Sequence, residues 1–210
     1  MADQSNLTLT DAYVYTPKKD KNAIYYSAGS TGTLTINGDS SVGNGYQNAS
    51  GLDGSGNYSG TINTNSTGKV TLAGTCGVYA GPYGGNAIYC SSKCTVECKE
   101  HSKIYALNEN DKDGILMNAA GGSIIFNSDR WFYCTGSHVA STGSYNSAIT
   151  VTKGQFVSRN SKYMFFKNGA NDTTNVSTGT AGDRVFNYMN SYKTRTTKTI
   201  SGYYYYKKGV

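Results

Sequence analysis

The sequence predicts an extended all-β fold, a right-handed parallel β-helix: a solenoid of about six irregular coils. Three observations carry this: a composition built for short strands and turns, a degenerate repeat of strand pairs, and loops of uneven length between the copies. Of 210 residues, 26 are Gly, 19 are Tyr and only 2 are Pro, and the charged fraction is 15%. That is well below the roughly one quarter usual in globular chains. Gly, Ser, Thr and Asn supply turns, while Tyr, Thr, Val and Ile suit pleated surfaces.

The repeat is an alternating strand, a short gap, then an apolar residue that is usually followed by Tyr. It runs Leu7-Thr8-Leu9 to Val14-Tyr15, Leu34-Thr35-Ile36 to Val42, and Val70-Thr71-Leu72 to Val78-Tyr79. It continues Val96-Glu97-Cys98 to Ile104-Tyr105, Ile124-Ile125-Phe126 to Phe132-Tyr133, and Phe156-Val157-Ser158 to Met164-Phe165. Thr199-Ile200 with Tyr203 to Tyr206 reads as a frayed seventh copy. A further strand follows in most copies: residues 22–27, beginning Asn22-Ala23-Ile24-Tyr25, are nearly repeated at 86–91, beginning Asn86-Ala87-Ile88-Tyr89. Looser equivalents are 113–118, 147–151 and 184–186.

The copies are spaced about 26 to 40 residues apart, with the variation confined to Gly/Ser/Asn stretches at 43–65, 136–146 and 168–182. Fixed strands with elastic loops suit a solenoid, in which each coil needs only to stack on its neighbours. An antiparallel β-sandwich is the alternative, but its strands have no reason to resemble one another in sequence. Residues 1–190 are assigned to the solenoid and 191–210 to a Tyr/Lys-rich cap or assembly tail.

Strand alternation sorts the faces. Leu9, Ile36, Leu72, Cys98 and Phe126 form one inward column, and Leu7, Leu34, Val70, Val96 and Ile124 a second. Val14, Val42, Val78, Ile104, Phe132 and Met164 form a third. Thr8, Thr35, Thr71, Glu97 and Ile125 point outward, as do Tyr13, Tyr15, Tyr25, Tyr79, Tyr89, Tyr105 and Tyr133, which are placed to stack along the rod.

The repeated Asn-Ala-Ile-Tyr strands and alternating coils resemble the right-handed β-helices of bacterial adhesin passengers and phage tail fibres or spikes, over about residues 6 to 190. The resemblance is one of architecture and rests on no diagnostic motif. It implies a rod that displays loops.

Chemistry-bearing residues are sparse. The cysteines are Cys76, Cys90, Cys94, Cys98 and Cys134. The spacing of Cys90, Cys94 and Cys98 matches neither the usual zinc pairs nor iron–sulfur runs. Free thiols in the core, one or two disulfides, and a metal site are all open. The register favours the first, because it turns Cys90, Cys94 and Cys98 inward, and an odd number leaves at least one thiol unpaired or bonded to another chain. Asp111 and Asp113 with Glu97 are the carboxylates that could meet on one side, and Asp129-Arg130 beside Trp131 is the nearest approach to a lyase-like cluster. His101 and His138 have no Cys or Asp at ligand or triad spacing. Gly81 to Gly85 reads as a turn, and no cofactor motif is present.

The formal charge of +6 comes from scattered cations apart from runs at 18–21, 193–198 and 207–208. That distribution argues against a nucleic-acid partner, which needs cations on one face, but leaves acidic glycans open. No membrane span and no signal peptide are visible. The expectation is a non-enzymatic structural or attachment protein on a cell surface, on a virion or outside the cell. It would self-assemble into a homo-oligomer or filament, or bind a surface glycan or host receptor. A tailspike-like polysaccharide lyase or glycosidase is one alternative; an ice-binding protein is another, from the Thr-x-Thr pairs Thr8/Thr10, Thr33/Thr35 and Thr150/Thr152, which are spaced too irregularly for a flat lattice-matching face. Tyr203, Tyr204, Tyr205 and Tyr206 are the candidate assembly contacts, either capping their own rod or adding a strand to the next subunit.

Overall fold

The structure, a computed structural model, describes residues 5–16, 22–26, 31–44, 60–81, 85–107, 112–159, 162–172, 183–191 and 194–210, with the backbone alone for 183–191 and 194–201. Strands are the only regular secondary structure among these residues. They stack as six rungs joined by five rung-to-rung steps. Rung 1 holds β1 (Leu7–Thr10), β2 (Tyr13–Thr16) and β3 (Ile24–Tyr26), and rung 2 holds β4 (Thr33–Asn37), β5 (Ser41–Asn44) and β6 (Gly60–Thr64). Rung 3 holds β7 (Lys69–Leu72), β8 (Gly77–Ala80) and β9 (Asn86–Cys90), and rung 4 holds β10 (Thr95–Glu100), β11 (Lys103–Ala106) and β12 (Ile115–Met117). In rung 5 the long β13 (Ser123–Cys134) runs through two faces before β14 (Ala140–Ser141), and in rung 6 β15 (Ala148–Ser158) does the same before β16 (Phe165–Lys167). All strand pairs from rung to rung are parallel. The chain is a parallel β-solenoid with three faces.

The register follows the hydrophobic pattern, because a slip of one residue would turn every inward side chain out. Leu9, Ile36, Leu72, Cys98 and Phe126 align on the first face and continue to Val151. On the second face Val14, Val42, Val78, Ile104 and Phe132 align, and the sixth place belongs to Phe156, not Met164. The sixth copy is therefore shifted by one strand: Phe156 lies on the second face, and Phe165, beside Met164, on the third. Residues 147–151 likewise belong to the first face, and 184–186 lie in β18 (Asp183–Ser191), which pairs antiparallel with β19 (Thr194–Ser201). The third face reads Ile24, Ile62, Ile88, Ile115, Ala140 and Phe165. The near-identical strands at 22–27 and 86–91 share this column but lie two rungs apart, with Ile62 between them.

The corners explain the strand lengths. Two residues past the inward Leu9, Ile36, Leu72 and Cys98 stand Asp11, Gly38, Gly74 and Glu100, with φ of 52°, 63°, 62° and 61°. This left-handed residue turns the chain from first face to second in rungs 1 to 4. A side chain there costs roughly 1–2 kcal/mol, and both non-glycine occupants recover some of it. Asp11 Oδ1 accepts the Asp39 amide at 2.8 Å and Glu100 Oε2 accepts the Gly74 amide at 2.6 Å, each tying two rungs together. In rungs 5 and 6 bulges around Asn127 make the turn instead, so β13 and β15 continue through it.

At the corner entering the first face, carbonyls of Gly32, Gly68, Cys94 and Gly122 accept amides of the next rung from Lys69, Thr95, Ser123 and Ala148 at 2.9–3.3 Å. A Cβ on Gly68 would overlap the Gly32 carbonyl oxygen, so glycine there lets two rungs approach.

The inward columns form one continuous core. It is aliphatic in the early rungs and aromatic in the last two, where Phe126, Phe132, Phe156 and Phe165 meet with ring centroids 4.7–5.8 Å apart. The larger rings fill space left by Ala140 and Val151 in the same rungs. The C-terminal end is closed by antiparallel strands: β17 (Ala170–Asn171) on β16, and β20 (Tyr204–Lys208) on the second half of β15.

Candidate functional site

Among the described residues the strongest concentration of ionisable side chains lies on the edge between the first and second faces, across rungs 4 to 6. His101 follows the left-handed Glu100, and its Nδ1 lies 2.8 and 2.9 Å from the two carboxylate oxygens of Asp129, one rung on. Arg130 Nε is 3.5 Å and Lys153 Nζ 4.0 Å from the same carboxylate, and Gln155 Nε2 donates to the Asp129 carbonyl at 2.7 Å. Burial pushes the Asp129 carboxyl pKa up. The His101 hydrogen bond and the charges of His101, Arg130 and Lys153 outweigh it and hold the group below the usual carboxylate range. The expectation that the histidines lack an acidic neighbour is thus corrected for both: the partner sits one rung away, about 25–28 residues in sequence, where local spacing cannot reveal it.

The second pair is part of a ladder. Asn86, Asp113 and His138 occupy equivalent positions two residues before the inward Ile88, Ile115 and Ala140. Asn86 Oδ1 accepts the Asp113 amide at 2.9 Å, and Asp113 Oδ1 accepts the His138 amide at 3.0 Å. His138 Nδ1 also meets Ser137 Oγ at 2.8 Å, and its Nε2 meets Asn171 Oδ1 at 3.0 Å. A hydrolytic triad needs Ser and Asp on opposite ring nitrogens; here both approach Nδ1. The group joins three rungs by satisfying part-buried backbone donors.

Two further groupings read from the sequence do not form. Glu97 lies on the outer first face, paired with Lys69 Nζ at 2.6 Å, whereas Asp113 is at the corner entering the third face, so they do not share a side. Asp111 lies outside the described residues, as do the cation run at 18–21 and part of the Gly81 to Gly85 turn. Outward Thr8, Thr35, Thr71 and Thr150 share one column, but Glu97 and Ile125 interrupt it, and Thr33 aligns with Lys69 in another.

All five cysteines are buried free thiols. Cys98 fills a place in the first-face column, and Cys76 stands between Ser40 and Ser102 in an interior corner column. Cys90 and Cys94 hydrogen-bond to each other, and Cys134 Sγ donates to the Lys112 carbonyl at 3.4 Å. Desolvation pushes the Cys76 thiol pKa up to about 12 from 9.0, and burial raises those of Cys98 and Cys134 as well. Cys90 is raised by its bond to Cys94 and by burial. Among the described residues no three His, Cys, Asp or Glu side chains gather in a way that could hold a metal ion.

A thiol reagent at pH 8 is therefore expected to label almost none of the five cysteines in the native protein and all five in denaturant. The raised pKa also has a sign. The folded state keeps the Cys76 proton where the unfolded chain releases it, so this stability is full below pH 9 and declines as pH rises toward about 12. Cys76→Ser, matching its column neighbours, is expected to flatten that decline in an alkaline denaturation series.

The outward tyrosines of the second face line up as Tyr15, Tyr79, Tyr105 and Tyr133, with Gly43 in the rung 2 position, and pass to Val157 and Tyr205. They form a second apolar cluster outside the main core, in which Tyr79 and Tyr133 are buried. The tail closes both clusters at once. In β20, Tyr204 and Tyr206 turn toward the main core, Tyr206 stacking on Phe156 at 6.0 Å, while Tyr203 and Tyr205 join the outer cluster, Tyr205 meeting Trp131 at 5.3 Å. Four consecutive tyrosines thus divide between two sides of one strand.

The sequence reading missed the gathering of cations on the edge. Lys99, Asn127 and Lys153 align on its first-face side, and Lys103 stands beside Trp131, Gln155 and Lys207 on its second-face side. The repeat register could have brought Lys103 next to Trp131, but Lys153 and Lys207 needed the true last rung. Among the described residues no helix is long and apolar enough to cross a membrane. Compared with family models, with curated proteins and with solved structures, this chain matches none of them.

Proposed function

We propose that this chain is a non-enzymatic structural or attachment module: a β-solenoid rod that presents its outer surface to a ligand or to further copies of itself, at a cell surface or on a virion. The observation that carries this reading is the use made of the ionisable groups. Asp11, Glu100, Asp113 and Asp129 each bond to a group on an adjacent rung, so their chemistry goes into holding the rod together. Polar columns of this kind stiffen a solenoid whose every rung depends on its neighbours.

A second reading has one observation in its favour. The His101–Asp129 pair with Arg130 and Lys153 beside it has the composition of a polysaccharide lyase or hydrolase site. The two readings separate in one experiment: incubation of the purified protein with acidic polysaccharides, with electron microscopy of the same sample with and without reductant. The attachment reading expects intact polysaccharide, together with regular assemblies or polysaccharide-bound rods. Release of reducing or unsaturated ends that Asp129→Asn abolishes would establish the enzymatic reading instead.

A further inference from the structure

We infer that the edge between the first and second faces, over rungs 4 to 6 and the tail strand, binds an acidic polysaccharide lying lengthwise along the rod. The inference rests on the attachment reading and names the ligand class.

Charge is the first observation. The edge brings together Lys99, Lys103, Arg130, Lys153, Lys207 and Lys208 from five strands. Against these six cations stand Glu100 and Asp129, a net +4 out of the chain's +6. The same edge in the early rungs has the opposite character. The Lys103 column holds Tyr13, Ser41 and Gly77 in rungs 1 to 3, and the corner carries Asp11 and Asp39. Among the described residues the cations of this edge are therefore local to the C-terminal end. A concentration of one sign at one place attracts a ligand of the other.

Geometry is the second. The Lys99 column and the Lys103 column run along the rod on either side of the corner, with Arg130 and Lys208 between them, Lys208 being paired with Gly154. Neighbouring strands are about 4.8 Å apart, so the four levels formed by rungs 4 to 6 and β20 span about 14 Å along the axis. That pitch is close to the length of one pyranose residue, so a polymer with one charge per sugar meets a cation at each step, and one with a charge per pair meets one at every second step. Trp131 lies within the Lys103 column, partly buried against Tyr205, and what remains open of its indole is a surface of the sort that stacks on sugar rings.

The third observation chooses between polyanions. Phosphodiester backbones offer acceptors only, and carboxylates in the middle of a binding surface repel them. Asp129 and Glu100 lie within this patch, beside the Gln155 amide. A carboxylate has about four acceptor positions, and sugar hydroxyls can use those that His101 and Arg130 leave. A ligand bearing both anionic groups and hydroxyls fits this mixture. The carboxylates favour such a glycan over nucleic acid.

The test titrates the full chain with a sulfated heparin octasaccharide and with an oligogalacturonate of the same length, following Trp131 fluorescence, the protein having no other tryptophan. A neutral dextran fragment and single-stranded DNA of equal charge are the comparisons. Expected are saturable binding of at least one acidic glycan, weakened by added salt, little response to dextran, and weaker binding of DNA. The variant Arg130→Glu/Lys207→Glu/Lys208→Glu reverses exposed charges only and is expected to bind at least tenfold more weakly with an unchanged melting curve. Lys18→Glu/Lys19→Glu, removing cations elsewhere in the sequence, is expected to bind like wild type. Absence of binding at low salt, equal loss in both variants, or DNA binding as tightly as the glycans would overturn the inference. Glycan cleavage would instead refute the attachment reading on which it rests, whereas assembly without glycan binding would leave that reading standing and remove this one.

Discussion

Phe126→Ala is expected to lower stability by about 3–5 kcal/mol, as the removal of a buried aromatic ring does when the cavity cannot collapse. Phe126 is fully buried and touches Phe132 in its own rung and Phe156 and Phe165 in the next, at 4.7, 5.0 and 5.8 Å between ring centroids. Those rings are themselves fixed by strand pairing on the second and third faces, so none can swing in to fill the space. Denaturant unfolding followed by circular dichroism should show the midpoint falling. Because each rung depends mainly on its neighbours, rungs 5 and 6 are expected to fray before the rest, lowering the slope of the transition as well. Phe126→Leu keeps most of the volume and should lose less than half as much. An unchanged midpoint for the alanine variant would show that the aromatic cluster is not packed as described.

Removal of Tyr203 to Val210 is expected to cost somewhat more, about 5–7 kcal/mol, and to make the protein associate. The backbone hydrogen bonds of β20 roughly offset the entropy of ordering it. What remains is the half-burial of four tyrosine rings, about 1 kcal/mol each, with ring contacts worth roughly 0.5–1.5 kcal/mol apiece to Phe156 and Trp131. The deletion also bares the edge of β15 from Gly154 to Ser158, and a bare edge strand is a template for pairing with another chain. Light scattering on a sizing column should show higher oligomers, and a thermal melt an earlier transition. A monomer melting like wild type would mean that the tail is not a cap. Tyr206→Ala isolates the inward half of the effect and Tyr205→Ala the outward half.

Alternation made most of the core legible. In a pleated strand inward and outward side chains alternate, so Leu34 and Ile36, or Val96 and Cys98, declared their face without knowledge of the fold. Similarity between copies then supplied the stacking, because a solenoid places equivalent residues over one another. The method failed where a rung lost its sequence signature. Rung 5 has only Ala140-Ser141 on its third face, too small and short to read as a strand. Rungs 5 and 6 also lack the left-handed corner residue that separates first face from second in rungs 1 to 4. With both punctuation marks missing, Phe156 and Phe165 imitated a first and second strand, when they are a second and third.

By itself the sequence determined the fold class, the inward columns of the early rungs and the inward placement of Cys90, Cys94 and Cys98, because all follow from local alternation and repeated composition. Only the tertiary structure decided the pairing of His101 with Asp129, the Asn86–Asp113–His138 ladder, the two-sided insertion of the tyrosine tail and the basic edge. Each joins residues on different rungs, separated by loops of unequal length. Their meeting depends on how much chain each loop and bulge consumes before the next strand begins, and strand alternation carries no record of that.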